Sequence, residues 1–373
     1  MIYRLFESCR LISGYSRCCI YDLQRQKVKF LPKLCYDWFD SRHLLDTVHF
    51  NTISEDDREV VSNCLSDLLS QDLIFEISVD EIECFPNMNL SWDYPAFITN
   101  AVILYQRNSL KHINKTFIEL QQLNCKNIQV FLIDKDSFKD VEQIQNNANK
   151  FNMQSIEYAI TSEAIDNKQD FYKWVKKNNN IKNVFFHKSK SSKIISDDNS
   201  GMGFVVNTKH SMDPSNQCGN IHPCYFCINI MHFTEAQCHN TCLNRKVCID
   251  ANGDIKNCPA MSKSYGNIKD TTLEEAINKP GFKDLWFINK DKIDVCKDCE
   301  FRYMCTDCRA FIKDPENIYS QPAKCTYNPY ICLWEGQEGY VPVEECGTYS
   351  RETGFVPDKK KIAKLNKEIW GED

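Results

Sequence analysis

Four cysteines stand within thirteen residues in the segment CKDCEFRYMCTDC: Cys296, Cys299, Cys305 and Cys308. A two-residue gap lets one loop aim both thiolates at one metal. The five-residue gap after Cys299 brings a third thiolate back over a turn. The fourth ligand then comes from elsewhere in the chain, and Cys325 follows downstream. A second block, CHNTCLNRKVCIDANGDIKNCP, holds Cys238, Cys242, Cys248 and Cys258. Within it KVCIDANGDIKNC predicts a short hairpin, because Asn252-Gly253 supplies the positive φ that a tight turn requires. That turn folds Cys258 back toward the residues before Cys248. Thiolates spaced in this way hold iron–sulfur clusters, often with one remote ligand. Four-cysteine zinc sites use similar pairs, so on spacing alone both chemistries stand.

The rest of the composition narrows the setting. Of 21 cysteines, seven lie between residues 9 and 125, none between 126 and 217, and fourteen between 218 and 346. The scattered early set (Cys9, Cys18, Cys19, Cys35, Cys64, Cys84 and Cys125) reads as small buried hydrophobes. Packing does not call for fixed short spacings, so that reading fails for the later set. The N-terminus, MIYRLFESCRLISGYSRCC, is interrupted by Arg4, Glu7, Arg10 and Arg17, unlike a secretory signal. No run approaches the roughly 18 apolar residues of a membrane span. A cytoplasmic chain is expected, with reduced thiols that serve metal, catalysis or packing rather than disulfides. Lys plus Arg total 45 against 51 Asp plus Glu, a net charge of −6, so no nucleic-acid partner is expected, and the lack of a span argues against a membrane partner.

The positioning elements follow from periodicity. At 373 residues the chain suggests two or three domains. Residues 1 to about 80 open with two strand-like runs, RLISGYSRC with Gly14 as a turn, and CIYDLQRQKVKFLP. Two helical patterns follow, LCYDWFDSRHLLDTV and a second capped by Ser54 with Asp57 three residues on. LIFEI (73–77) then reads as a strand, an order like that of a small winged-helix domain. From 95 to 190, strands at 101–106, 128–133, 155–160 and 183–186 alternate with helical faces, which implies βα units on a parallel sheet. Four strands are too few for an eight-stranded barrel, so a partial barrel or small open sheet is expected. HKSKSSKIISDDNSG (187–201) lacks periodicity and reads as a linker. Residues 346–373 are expected to form a charged, helical tail.

The two cysteine blocks resemble a SPASM domain, which carries two auxiliary four-iron clusters in many radical-SAM peptide-modifying enzymes. That pattern is a Cys, nine to fifteen residues, Gly-x4-Cys, a gap, Cys-x2-Cys-x5-Cys-x3-Cys, another gap and a last Cys. Gly253-x4-Cys258 fits it, and both Cys238 and Cys242 stand at an allowed distance before Gly253. Cys296, Cys299 and Cys305 match directly, while the gap to Cys308 is two residues rather than three. GNIKDTTLEEA (266–276) resembles the connecting segment. The resemblance covers roughly 238–334. It implies one cluster on Cys238, Cys242, Cys258 and Cys308, with Cys218 as the alternative to Cys238. It implies another on Cys296, Cys299, Cys305 and Cys325, with Cys332 as the alternative to Cys325.

Finer wording narrows the resemblance. NTCLNRK, IDANGDIKNCP, INKDKIDVCKDCEFRYMCTDCRAF and KCTYNPY are similar to the peptide maturases of grasp-with-spasm systems. Those maturases keep the SPASM domain, lack the radical-SAM cysteine triad and work beside an ATP-grasp ligase on a ribosomally made precursor peptide. The implied fold class is an α/β multi-domain chain. A winged-helix-like leader-recognition element occupies 1–85 and a partial (βα) barrel-like domain 95–190. The SPASM domain spans 205–345 and the tail 346–373. The implied function is maturation of a ribosomal peptide, with precursor and ligase as partners, two [4Fe-4S] clusters or zinc in their place, and S-adenosylmethionine not expected. No catalytic residue is assigned, and whether the chain catalyses or adapts is open. No Ser/His/Asp set or glycine-rich nucleotide loop occurs, and Gly totals only 12. Two other readings compete: a divergent radical-SAM enzyme using Cys218, Cys224 and Cys227, and a zinc-stabilised binding scaffold.

Overall fold

The computed structural model describes residues 1–48, 54–106, 110–132, 138–195 and 204–371. The opening strands are β1 (Ile2–Leu5), β2 (Cys9–Ser13), β3 (Arg17–Asp22), β4 (Lys27–Pro32) and β5 (Leu44–Asp46). Helix α1 (Glu55–Ser70) and β6 (Ile74–Ile77) follow. Then β7 (Asn100–Tyr105), α2 (Leu110–Gln122), β8 (Asn127–Leu132), α3 (Phe138–Lys150), β9 (Ser155–Thr161), α4 (Lys168–Lys177) and β10 (Ile181–His187) alternate. Short strands β11 (Lys193–Ile195) and β12 (Val205–Asn207) precede α5 (Ile230–Cys238), β13 (Lys246–Ile249), β14 (Ile255–Lys256) and α6 (Leu273–Ile277). The chain closes with β15 (Tyr327–Asn328), β16 (Leu333–Trp334), β17 (Gly347–Ser350), β18 (Gly354–Pro357) and α7 (Lys359–Trp370).

These elements form two compact units, each built from separated segments. Unit 1 is residues 1–92, 220–241 and 288–373, and unit 2 is 93–219 and 242–287. Residues 205–345, expected as one domain, are divided between them. Among the described residues no helix is long and apolar enough to cross a membrane.

Unit 2 is a mixed sheet in the order β11-β12-β10-β9-β8-β7-β13-β14. Strands β12, β10, β9, β8, β7 and β13 run parallel, and β11 and β14 pair antiparallel at the two edges. The four expected strands and three helices are present because their apolar faces bury: Ile113, Phe117 and Leu120 on α2, Val141, Ile144 and Ala148 on α3. The sheet is larger than expected because β13 of the cysteine hairpin adds to β7, with Val247 opposite Ala101 and Ile249 opposite Ile103. The stretch expected as a linker holds β11, which pairs with β12 from Lys193 opposite Asn207 to Ile195 opposite Val205. The end of that stretch, 196–201, lies outside the described residues, as does residue 133 of the second expected strand.

Unit 1 contains two antiparallel three-stranded sheets, β5-β1-β6 and β2-β3-β4. RLISGYSRC is split at Gly14 into β2 and β3, as its glycine suggests. Ser54 caps α1 by accepting from the Asp57 amide at 3.1 Å. The helix expected over LCYDWFDSRHLLDTV is instead a short 3-10 turn (Lys33–Trp38) followed by β5. Asp40 Oδ1 takes the Arg42 and Leu44 amides at 2.8 and 2.9 Å, a local turn that competes with helix. Leu44 and Leu45 then bury where β5 pairs with β1. Cys9, Cys18 and Cys35 pack in one core of this unit and Cys19 in a second, and Cys125 is buried in unit 2. Cys84 is exposed and departs from that packing role.

Candidate metal centre

In unit 1, Cys296, Cys299, Cys305 and Cys325 line one small cavity together with Lys290, Arg302 and Tyr327. A tight turn places the first two thiols, since the Cys299 amide donates to the Cys296 carbonyl at 3.0 Å. Val295, just ahead of them, has φ of +66°, a strained conformation for a β-branched residue. The Phe301 amide points at Cys299 Sγ at 3.4 Å, and the Cys305 amide donates to the Phe301 carbonyl at 3.0 Å, which brings the third thiol over the turn. Burial pushes the Cys296 thiol up to about 12 and the Cys305 thiol up to about 11, with Lys290 opposing both shifts. Cys299 is raised well above the ordinary thiol value, again chiefly by burial. Cys296, Cys299 and Cys305 therefore favour the protonated state alone, and a metal that binds them must displace their protons.

The wall behind these thiols is fixed by the N-terminal hairpin. Gly14 turns β2 into β3, and a Cβ there would meet the Arg17 carbonyl at 2.7 Å and the Glu300 Cβ at 2.9 Å. Only glycine permits that approach. Glu300, wholly buried, accepts from Arg17 Nε at 2.6 Å and from the Tyr327 hydroxyl. The Tyr21 hydroxyl donates to the Glu300 carbonyl, and the Arg302 guanidinium to the Ser13 carbonyl. Ile12, Cys19 and Tyr21 share a core with Phe301, Met304 and Tyr327.

In unit 2 a second set forms. The Asn252-Gly253 turn adopts the expected hairpin, with Gly253 at φ +86° and Cys248 opposite Lys256. Asp250 Oδ1 receives the Asn252 and Asp254 amides at 2.9 and 3.0 Å. Asn257 Nδ2 donates to the Leu243 and Lys246 carbonyls at 3.2 and 2.8 Å, so Cys258 returns beside the Cys242 loop. The Cys258 thiol is hydrogen-bonded with Cys218, which together with burial raises it far above the ordinary value. Lys246 Nζ donates to Cys242 Sγ at 3.5 Å. Burial works against the charge on Lys246, yet the Cys242, Cys258 and Cys218 sulfurs outweigh it and hold the ammonium above the usual lysine value.

Cys332 faces a different, larger cleft with Arg17, Phe30 and Trp370. Cys238, exposed, and Cys308, buried, belong to unit 1. Cys224 Sγ lies 3.0 Å from His222 Nδ1, and Cys227 accepts from Asn229 Nδ2 at 3.0 Å. Every one of the 21 cysteines is a thiol rather than half of a disulfide. Among the described residues no three Cys, His, Asp or Glu side chains are gathered tightly enough to hold a metal ion on their own. The donor chemistry fits an iron–sulfur group: four thiols line one cavity, with a buried ammonium among the lining residues. Sequence reasoning missed Glu300, Lys290 and Lys246. Each sits in a charged stretch that reads as solvated surface, and only the alternation of Lys246 with Val247 along β13 hinted at its setting.

Residues 238–300 match the SPASM family, described as an iron-sulfur cluster-binding domain. No curated protein matches the chain. Among solved structures, Streptococcus suis SuiB bound to S-adenosylmethionine is 8% identical, covering 83% of this chain and 96% of its own at a TM-score of 0.39. SuiB bound to the precursor peptide SuiA is 10% identical over the same shares, 83% and 96%, at 0.38. A further SuiB structure is 11% identical over 86% and 99%, at 0.36. The match over 238–300 identifies that region as a SPASM-type, iron–sulfur cluster-binding region.

Proposed function

We propose that this chain is a maturation protein for a ribosomally made peptide, carrying two four-iron clusters and working beside an ATP-grasp ligase. One cluster is assigned to Cys296, Cys299, Cys305 and Cys325, and the other to a group that includes Cys218, Cys242 and Cys258. The observation that carries the cluster assignment is the convergence of four thiols, 29 positions apart in sequence at their extremes, on one cavity of unit 1. The family match over 238–300 supports iron–sulfur chemistry there. A bound cluster would supply electron transfer or a structural clamp. The chain's own residues would hold it in place: Glu300 and Arg17 pin the loop, and the Phe301 amide faces a ligand sulfur. The precursor-peptide and ligase assignments rest on the grasp-with-spasm resemblance of 240–330.

The test is iron and acid-labile sulfide analysis of full-length protein purified without oxygen, with its visible spectrum. About eight irons and eight sulfides per chain, with a brown charge-transfer band, is the expected result. A colourless protein holding about two zincs and no sulfide would overturn the cluster assignment. Calorimetric titration of the full chain with the synthetic precursor peptide tests the substrate, and no heat of binding would refute that part.

A further inference from the structure

Lys290 is 6% exposed and lines the same cavity as Cys296, Cys299, Cys305 and Cys325. Its ammonium stands 3.5 Å from Asp307 Oδ1. That carboxylate, itself 2% exposed, is already engaged. Arg309 approaches it with Nε at 2.6 Å and Nη2 at 2.8 Å, and Asn240 Nδ2 donates to it at 2.5 Å. A well-made ammonium–carboxylate bond is about 2.7–2.9 Å long, so the 3.5 Å contact leaves Lys290 the weaker partner. Two buried cations thus share one buried carboxylate, and the group carries one positive charge in excess. An uncompensated buried charge is strongly unfavourable, and a nearby anion relieves it. The surfaces facing Lys290 are the Cys305 and Cys296 sulfurs, Asp307, Arg309 and the His232 imidazole of α5. Of these, only the sulfurs can supply the missing negative charge. The second thiol set repeats the device, with Lys246 Nζ 3.5 Å from Cys242 Sγ.

We propose that Lys290 is a positioning residue whose ammonium is the built-in counter-charge for the anionic iron–sulfur group on Cys296, Cys299, Cys305 and Cys325. This rests on the cluster assignment above. Thiolate-ligated clusters are net negative, and reduction adds a further negative charge. A fixed cation beside the sulfurs therefore favours both loading and the reduced form. Lys246 plays the same part for Cys218, Cys242 and Cys258.

The test uses the full chain, purified without oxygen, as the parent and as Lys290→Met, Lys290→Arg and Asp307→Asn. Iron and sulfide per chain are measured, and cluster reduction is followed by electron paramagnetic resonance during a redox titration. Lys290→Met is expected to lose up to half of the iron. In the fraction that loads, reduction becomes about tenfold less favourable, or about 59 mV for a one-electron couple. Lys290→Arg restores the parent value. Asp307→Asn removes the carboxylate charge that partly neutralises Lys290 and shifts the potential the opposite way. Should Lys290→Met fail to fold, Lys290→Gln, which also removes the charge, takes its place with the same shift expected. A parent chain without iron or sulfide overturns the cluster assignment itself. A loaded parent whose variants titrate identically overturns only the role of Lys290.

Discussion

Replacing Glu300 with alanine tests how the N-terminal sheet is tied to the cysteine loop. Glu300 is 0% exposed, and Oε1 takes Arg17 Nε at 2.6 Å and the Tyr327 hydroxyl. Hydrogen bonds to a charged group contribute about 1.5–3 kcal/mol each, and removing one partner of a buried ion pair costs about 3–5 kcal/mol. The Arg17 side chain is 26% exposed and regains some hydration when its partner is lost, so the low end applies. A loss of about 3 kcal/mol follows. With a urea m-value of about 3 kcal/mol per M, the midpoint falls by about 1 M. Tryptophan fluorescence reports the transition, since Trp334 packs against Tyr327 with ring centroids 4.8 Å apart. Arg17→Ala and the double variant complete a cycle, with a coupling energy of about 2 kcal/mol expected. A midpoint shift below about 0.2 M with additive single effects would refute the view that this ion pair fastens the loop.

Further outcomes follow from the same geometry. Cys325→Ser should lose about half of the bound iron and Cys332→Ser almost none, because only Cys325 shares the thiol cavity, and equal losses would break that assignment. Cys218→Ser should lose iron while Cys238→Ser keeps it, since Cys218 is the thiol bonded to Cys258, and metal analysis reads the difference. Burial, helped by Lys290, lowers the His232 imidazole from 6.5 to about 4. A depressed folded-state value means that stability is full above 6.5 and is lost as the pH falls toward 4, by at most about 3 kcal/mol. Melting temperatures taken across that window should therefore drop in the parent and stay flatter in His232→Leu. Gly14→Ala should cost about 1–3 kcal/mol by overpacking against the Arg17 carbonyl and Glu300, and an unchanged melting temperature would show that the turn can yield.

What the sequence determined by itself is local. Cysteine spacing announced a thiolate site, because two- and five-residue gaps are set by the reach of one loop. Asn252-Gly253 announced the hairpin, because its φ requirement is met within the turn. The βα alternation from 95 to 190 announced a parallel sheet, because helix and strand periodicities are short-range. What only the tertiary structure decided depends on distant partners. The apolar run LCYDWFDSRHLLDTV became a turn and a strand because β1 offered it an edge and Asp40 capped the break. The cysteine hairpin joined the large sheet through β7, more than 140 positions earlier in the chain. That Cys325 shares a cavity with Cys296, Cys299 and Cys305 while Cys332 lines another cleft, and that Cys218 is hydrogen-bonded with Cys258, are matters of packing of which spacing carries no record. Lys290 and Glu300 look like surface charges in sequence. Their burial is visible only once the N-terminal sheet and the residues around Asp307 close over them, because solvation is a property of the packed fold and not of the residue.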